Sequence, residues 1–304
     1  MSRTLDSVLT QTARARRAHA APDGRPSSPQ LLVRGQEKEA LEFLAAHPVQ
    51  NVIMMSFIRD NGFESSLNRG DFYACRDKRG ELTGVALIGH HVLFAAERAE
   101  NIGAFARQAR ERRDAHVIVG EREAVGEFWS VYARADESPL LVNKELLLEL
   151  KWPIEVREFV PGLRPATFAD IKLVAEVHAQ MAFAESRKNP LEVDREGFLA
   201  RIARRVEQGR LWVWVEDGRL IFKTDISSHT PEVIYLEGVY VHPDERGNGY
   251  GLRCLSQLSR ELLSRAKSVC LLVNEQNEQA QVFYRRAGYK LHSNYDTIYL
   301  PPRT

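Results

Sequence analysis

Residues 235–252 read YLEGVYVHPDERGNGYGL. The stretch opens as an apolar, β-rich run (Tyr235, Leu236, Val239, Tyr240, Val241) and halts at His242-Pro243. Pro243 cannot donate to a sheet ladder, so a strand must end there. Arg246 follows, then glycines at alternate positions, Gly247, Gly249 and Gly251. Beyond them Leu252, Leu255, Leu258, Leu262 and Leu263 fall on one helix face. A strand, a glycine turn holding a basic residue and a helix start together make a phosphate cradle. Glycine lets backbone N–H groups converge on a ligand, and the helix N-terminus adds partial positive charge.

Working outward, the 304 residues allow two domains of ordinary size. A hydrophobic fraction of 44%, a charged fraction of 27% and a formal net charge of +1 describe a globular chain. A nucleic-acid-binding protein would carry a basic excess, so that class is not expected. No apolar run reaches the roughly 18 residues of a membrane helix, and no secretory h-region stands at the N-terminus. Cys75, Cys254 and Cys270 are odd in number and far apart, which argues against a disulfide framework. Neither Cys-x-x-Cys nor His-Glu-x-x-His occurs, so no metal is expected. These features point to the cytoplasm.

Three segments are expected: a solvated, disordered arm at 1–29, a first α/β unit at 30–155 and a second at 156–304. The arm is rich in arginine and poor in acids; a transit peptide is the competing reading. In the first unit, helices are predicted over 36–46, 51–58 (capped by Asn51), 100–113 and 122–131. Strands are predicted over 71–75, 81–88, 91–95, 117–119 and 140–150. His90-His91 looks like a reactive pair, but neighbours on a strand point to opposite faces, so a structural role is expected. The segment FAAERAENIG (94–103) holds one glycine, and the first half does not repeat the cradle. In the second unit, helices are predicted over 170–186 and 193–208, with Thr167 and Asp170 as a capping box. A hairpin joins 211–216 to 220–226 across Asp217-Gly218. Strand 232–241 leads to the cradle and its helix; strand 269–273, helix 277–287 and closing strands 289–291 and 297–300 finish the chain. The order implies an α/β fold of the α+β kind with a mixed sheet.

Three phosphate motifs compete for the cradle. The Walker A pattern needs a Gly-Lys dipeptide, which the chain lacks. The dinucleotide fingerprint needs glycine at 252, where leucine stands. Arg-Gly-x-Gly-x-Gly after a Val-x-Pro strand end fits at every position. Here VYVHPDERGNGYG resembles the coenzyme-A signature of the GCN5-related N-acetyltransferase (GNAT) superfamily. The later LLVNEQNEQAQVFYRRAGYK is similar to that superfamily's second motif. The resemblance covers 162–300; the whole chain resembles two-part, tandem GNAT-like proteins whose N-terminal half is degenerate.

The resemblance implies acetyl-CoA as cosubstrate. It implies that the backbone of Val239, Tyr240 and Val241 pairs with the pantetheine arm as an added strand would. The pyrophosphate falls to Arg246, Gly247, Asn248, Gly249 and Gly251, with Leu252 at the helix start. Asn277 is expected to bond the pantetheine, and Tyr284 to sit near the sulfur. A primary amine is mostly protonated at neutral pH, so attack needs a base. Glu237 is the candidate, placed by strand period on the face of Val239. Tyr284 is the candidate acid for the departing thiolate. In such folds the acceptor lies by the first two helices, here near Glu185, Arg187 and Asp194, with Lys223-Thr224-Asp225 facing the same cleft. The expected activity is N-acetyltransfer to a primary amine on a small molecule or protein, by a monomer or homodimer. The alternatives are a non-catalytic acyl-CoA sensor and an aminoacyl-transferring tandem enzyme.

Overall fold

The arrangement of strands decides where the halves meet. In the computed structural model, residues 28–301 are described, apart from 136, 156, 157 and the side chain of Glu185. The expected arm therefore lies outside the described residues except at 28–29.

The first half runs β1 (Gln30–Leu31), α1 (Glu37–Leu44), α2 (Pro48–Asn61), β2 (Gly70–Arg76), β3 (Leu82–Gly89) and β4 (His91–Ala96). It continues with α3 (Ala99–Arg110), β5 (Val117–Glu121), α4 (Arg122–Tyr132) and β6 (Leu141–Leu150). Helix α2 starts earlier than Asn51, because Pro48 presets the first-turn geometry. Asn51 is buried inside the helix instead, and its amide donates to the Leu44 carbonyl at 3.0 Å, tying α2 to α1.

The second half runs β7 (Leu163–Pro165), α5 (Ile171–Ser186), α6 (Pro190–Val193), α7 (Arg195–Glu207), β8 (Leu211–Glu216), β9 (Arg219–His229) and β10 (Val233–Val241). Then come α8 (Tyr250–Leu262), β11 (Ser268–Asn274), α9 (Glu278–Arg286) and β12 (Lys290–Tyr299). The helix expected over 193–208 breaks at Asp194, whose side chain caps α7 through the Gly197 N–H at 2.9 Å. The capping box forms: the Asp170 carboxylate accepts from the Thr167 N–H at 2.7 Å and from its hydroxyl at 2.9 Å. Asp217 and Gly218 take positive φ (48° and 72°), the geometry of a type I′ hairpin turn. The two closing strands are one, β12, with a bulge between Leu291 and Ser293.

All twelve strands form one mixed sheet, ordered β1-β2-β3-β4-β5-β12-β6-β11-β10-β9-β8-β7. The halves exchange their last strands. β6 lies antiparallel to β11, β12 lies antiparallel to β5, and the two exchanged strands pair with each other at the centre. A buried cluster at this junction draws Val49 and Val52 from the first half against Val233, Tyr235, Cys270 and Tyr295 from the second. Each such fully buried side chain contributes about 1.5–3 kcal/mol. Around it, Arg122 reaches Glu275 at 2.7 Å and Asp296 at 2.8 Å, while Arg210 forks onto Asp60 at 2.6 and 2.9 Å.

Candidate active site

Strand β10 pairs with parallel β11 only from Val233 to Leu236. Beyond Leu236 it keeps its antiparallel partner β9 and leaves its other edge open. A bulge falls between Glu237 and Tyr240, where Gly238 takes φ 59°. The dihedral favours glycine, and a Cβ there would lie 2.7 Å from Lys223 Nζ, so a larger residue would displace that buried ammonium. The bulge also resets the faces. Val239 and Val241 pack toward the α8 core, whereas Tyr240 packs toward α5 and α7. Glu237 turns to α7 as well, with Oε2 at 3.8 Å from Arg205 Nη2. The strand-period expectation that Glu237 shares a face with Val239 is thus corrected, because the extra residue inverts the alternation.

After Pro243 the chain makes the glycine turn. Gly247 (φ 87°) and Gly249 (φ 79°) are left-handed, with open space where a Cβ would stand. Gly251 is needed for a different reason: its Cβ would meet Val241 Cγ2 at 2.7 Å, so it lets α8 lie on β10. Gly249 caps α8 without a side-chain bond, and the first-turn N–H groups of Tyr250, Gly251 and Leu252 have no intrahelical acceptor. They form a ready anion site. Trp214 packs edge-on against Tyr250 (centroids 5.0 Å, 86°), and Arg253 lies over the same ring at 4.7 Å, which fixes the helix start. The Arg246 side chain folds back, its Nε donating to the Val241 carbonyl at 3.2 Å. Asn248 turns aside, its amide 3.3 Å from Glu245 Oε2.

Across the splay, Asn277 caps α9, accepting from the Ala280 N–H at 3.0 Å. Its carbonyl oxygen is therefore engaged within the helix cap. Tyr284 is largely buried, its ring against Phe283 (5.1 Å) and Tyr289 (6.0 Å). One cleft of about 2090 Å³ is lined by Glu237, Val239, Tyr240, Val241, Arg246, Gly247, Gly249, Gly251, Leu252, Asn277 and Tyr284, and by Arg187. Both halves line it, and arginines outnumber carboxylates.

Lys223 departs from expectation. It is fully buried beneath Gly238, with Nζ 2.6 Å from Asp225 Oδ2, and does not face an acceptor. Asp225 also bonds His178 Nε2 at 2.7 Å and Arg205 Nη1 at 3.3 Å. Burial raises the Asp225 pKa, but Lys223, His178 and Arg205 outweigh it and hold the carboxyl well below its usual range. Burial lowers the His178 pKa against the opposing pull of Asp225. Arg187 ends α5 in the left-handed region (φ 59°) at the cleft, while the side chain of Glu185 lies outside the described atoms. The His178–Asp225 pair was not legible beforehand, since no local pattern marks a helix histidine that meets a strand 47 residues on. Lys223 and Asp225, opposite charges two apart in an apolar strand, were the available signal. A second missed group is Glu145 on β6, brought to the cleft by the strand exchange. Burial raises its pKa, opposed by a bond from Thr297 and reinforced by Glu237.

His90 and His91 also depart from expectation. His90 sits in the turn between β3 and β4, so strand alternation does not apply to the pair. Their rings lie 5.1 Å apart, and His116 stacks on His90 at 5.0 Å. Among the described residues, no group of three or more His, Cys, Asp or Glu side chains is placed to hold a metal ion. No helix among them is long and apolar enough to cross a membrane.

A splayed parallel pair, a bulged strand and a glycine-led helix mark this cleft. Residues 176–289 match the model of the acetyltransferase (GNAT) family. Solved structures agree on the fold across both halves. A GCN5-related N-acetyltransferase from Sphaerobacter thermophilus superposes with TM-score 0.60 at 16% identity, covering 91% of this chain and 96% of that one. A tandem GNAT protein from the clavulanic acid biosynthesis pathway gives 0.57 at 15%, covering 91% and 99%. A GNAT-family acetyltransferase from Colwellia psychrerythraea gives 0.54 at 12%, covering 90% and 100%. The first half is thus also GNAT-like in fold. No curated protein sequence matches this chain.

Proposed function

We propose that this chain transfers an acetyl group from acetyl-CoA to a primary amine, with 156–304 as the transfer unit and 30–155 as a degenerate partner. The observation that carries the reading is the meeting of an open β10 edge and an uncapped α8 N-terminus in one cleft with Glu237 and Tyr284. Acetyl-CoA, when bound, supplies the acyl group as a thioester. The backbone of Val239 and Val241 offers strand-like partners to an extended amide-bearing arm. The N–H groups from Gly247 to Leu252 suit a pyrophosphate, and Arg246, once released from the Val241 carbonyl, adds charge. Asn277 keeps its amide nitrogen for the same arm while its oxygen caps α9.

Glu237 takes a proton from the ammonium, directly or through one water, so that the amine can attack. N–H groups of the bulge at Gly238–Val239 face the charge that develops on the acyl oxygen. Tyr284 Oη gives a proton to the departing sulfur. The balance is amine plus thioester to amide plus thiol. Glu237 and Tyr284 in the same cleft favour turnover over a non-catalytic sensor. Three buried free thiols suit a reducing cytoplasm.

Thermal unfolding tests the donor assignment. A ligand present at a hundred times its Kd stabilises the native state by about 2.7 kcal/mol. Acetyl-CoA at about a millimolar should therefore raise the Tm. An unchanged Tm would remove the cradle reading.

A further inference from the structure

The cleft wall built by the first half has its own chemistry. Gly70 and Gly89 face each other across β2 and β3, and a Cβ on Gly89 would lie 2.2 Å from the Arg69 carbonyl oxygen. This close approach sets Arg69 beside His90. The His90 N–H donates to the Arg69 carbonyl at 2.8 Å, and Arg69 Nη2 lies 3.1 Å from His90 Nδ1. With the guanidinium donating, Nδ1 is an acceptor and the imidazole is neutral. The His90 carbonyl in turn accepts from the N–H groups of His116 and Val117, at 3.0 and 3.1 Å, which holds the histidines together.

Across the cleft, Arg201 on α7 belongs to the same field. Burial lowers the Arg69 pKa, Arg201 lowers it further, and Asp194 opposes them. Asp194 is already paired with Arg201 at 3.1 Å, so one carboxylate serves two guanidinium groups. Burial and neighbouring cations push the pKa of His90 down to about 3. The cluster therefore holds surplus positive charge at the cleft. Arg201 stands one helical turn before Arg205, the partner of Glu237, about 6 Å along the axis. Carboxylates at one end and guanidinium groups at the other match a molecule with an amine and an anion separated by a few bonds.

We propose that Arg69, Arg201 and the His90–His116 pair form an anion subsite, and that the acceptor is an amine that also carries a carboxylate or phosphate. This rests on the acetyl-transfer reading and names its substrate class. The first half, joined by Arg201 of α7, then recognises the acceptor while the second half carries the donor.

Titration calorimetry with five probes decides the matter without turnover. 5-Aminopentanoate should bind more tightly than n-pentylamine or cadaverine, and O-phosphoethanolamine more tightly than ethanolamine. One charged hydrogen bond is worth about tenfold to a hundredfold. Arg69→Gln and Arg201→Gln should each collapse that preference toward unity while acetyl-CoA still raises the Tm. Preference for only one of the two anionic probes identifies the anion as carboxylate or phosphate. If either variant misfolds, competition between pentanoate and 5-aminopentanoate on the wild type gives the same answer, with competition expected. Equal or tighter binding of the uncharged or dicationic amines overturns the subsite. So does loss of acetyl-CoA affinity in Arg69→Gln, which would assign the cluster to the donor. Failure of acetyl-CoA to shift the Tm, with the anionic preference intact, sinks the transfer reading and leaves the subsite.

Discussion

Tyr284→Phe removes one oxygen from a ring already held by Phe283 and Tyr289, so packing and donor binding should survive. The expected result is a fall in kcat of about a hundredfold or more with acetyl-CoA affinity nearly unchanged. Equal turnover in the two proteins would end the acid assignment. Glu237→Gln should produce a loss of similar order, rescued in part at high pH, where more amine is already deprotonated. A pH–rate profile identical to wild type would assign the base elsewhere, with His178 the next group to try. Asp225 behaves differently, because it holds Lys223, Arg205 and His178 together. Asp225→Ala leaves Lys223 buried without its carboxylate and should cost about 3–5 kcal/mol in urea unfolding. A midpoint shift near zero would contradict the account of the buried network.

At the scale of elements, the glycine turn is the sharpest case. A Cβ at 249 meets no neighbour, so the main cost of valine there is the left-handed backbone, about 1–2 kcal/mol. Relief of that strain turns the first N–H groups of α8 out of register, and acetyl-CoA affinity should fall at least about tenfold while folding is retained. Wild-type affinity in Gly249→Val would refute the loop geometry. This turn was legible because its chemistry is local: a proline stop, positive-φ glycines and an apolar helix face all lie within a few residues. The same locality made the Asp217-Gly218 hairpin and the Thr167–Asp170 box readable. The face of Glu237 was not, since one inserted residue at Gly238 reverses the alternation, and only pairing with β9 reveals it. The convergence of His90, His91 and His116 was hidden for the same reason, depending on a Gly70–Gly89 approach across two strands.

For the whole molecule, the strand exchange explains why residues of the first half reach a cleft of the second. Leu141–Leu150 read correctly as a strand, yet nothing in its own residues says which sheet position it takes. Several histidines of the first half are also buried, which gives stability a pH dependence. Burial and neighbouring cations lower the pKa of His91 to about 4 and of His90 to about 3, from 6.5. The unfolded chain then binds protons that the folded one refuses, so this contribution is complete above pH 6.5 and lost as pH falls toward 4. Urea midpoints should be lower at about pH 5 than at about pH 7.5, and His91→Asn should flatten the difference. The most direct measurement of the central claim is thiol release from acetyl-CoA, followed with 5-aminopentanoate as acceptor and matched against the N-acetylated product. The account predicts amine-dependent release, one thiol for each amide formed, that Tyr284→Phe slows. Acetyl-CoA that binds but stays intact in the presence of every amine tried would contradict it.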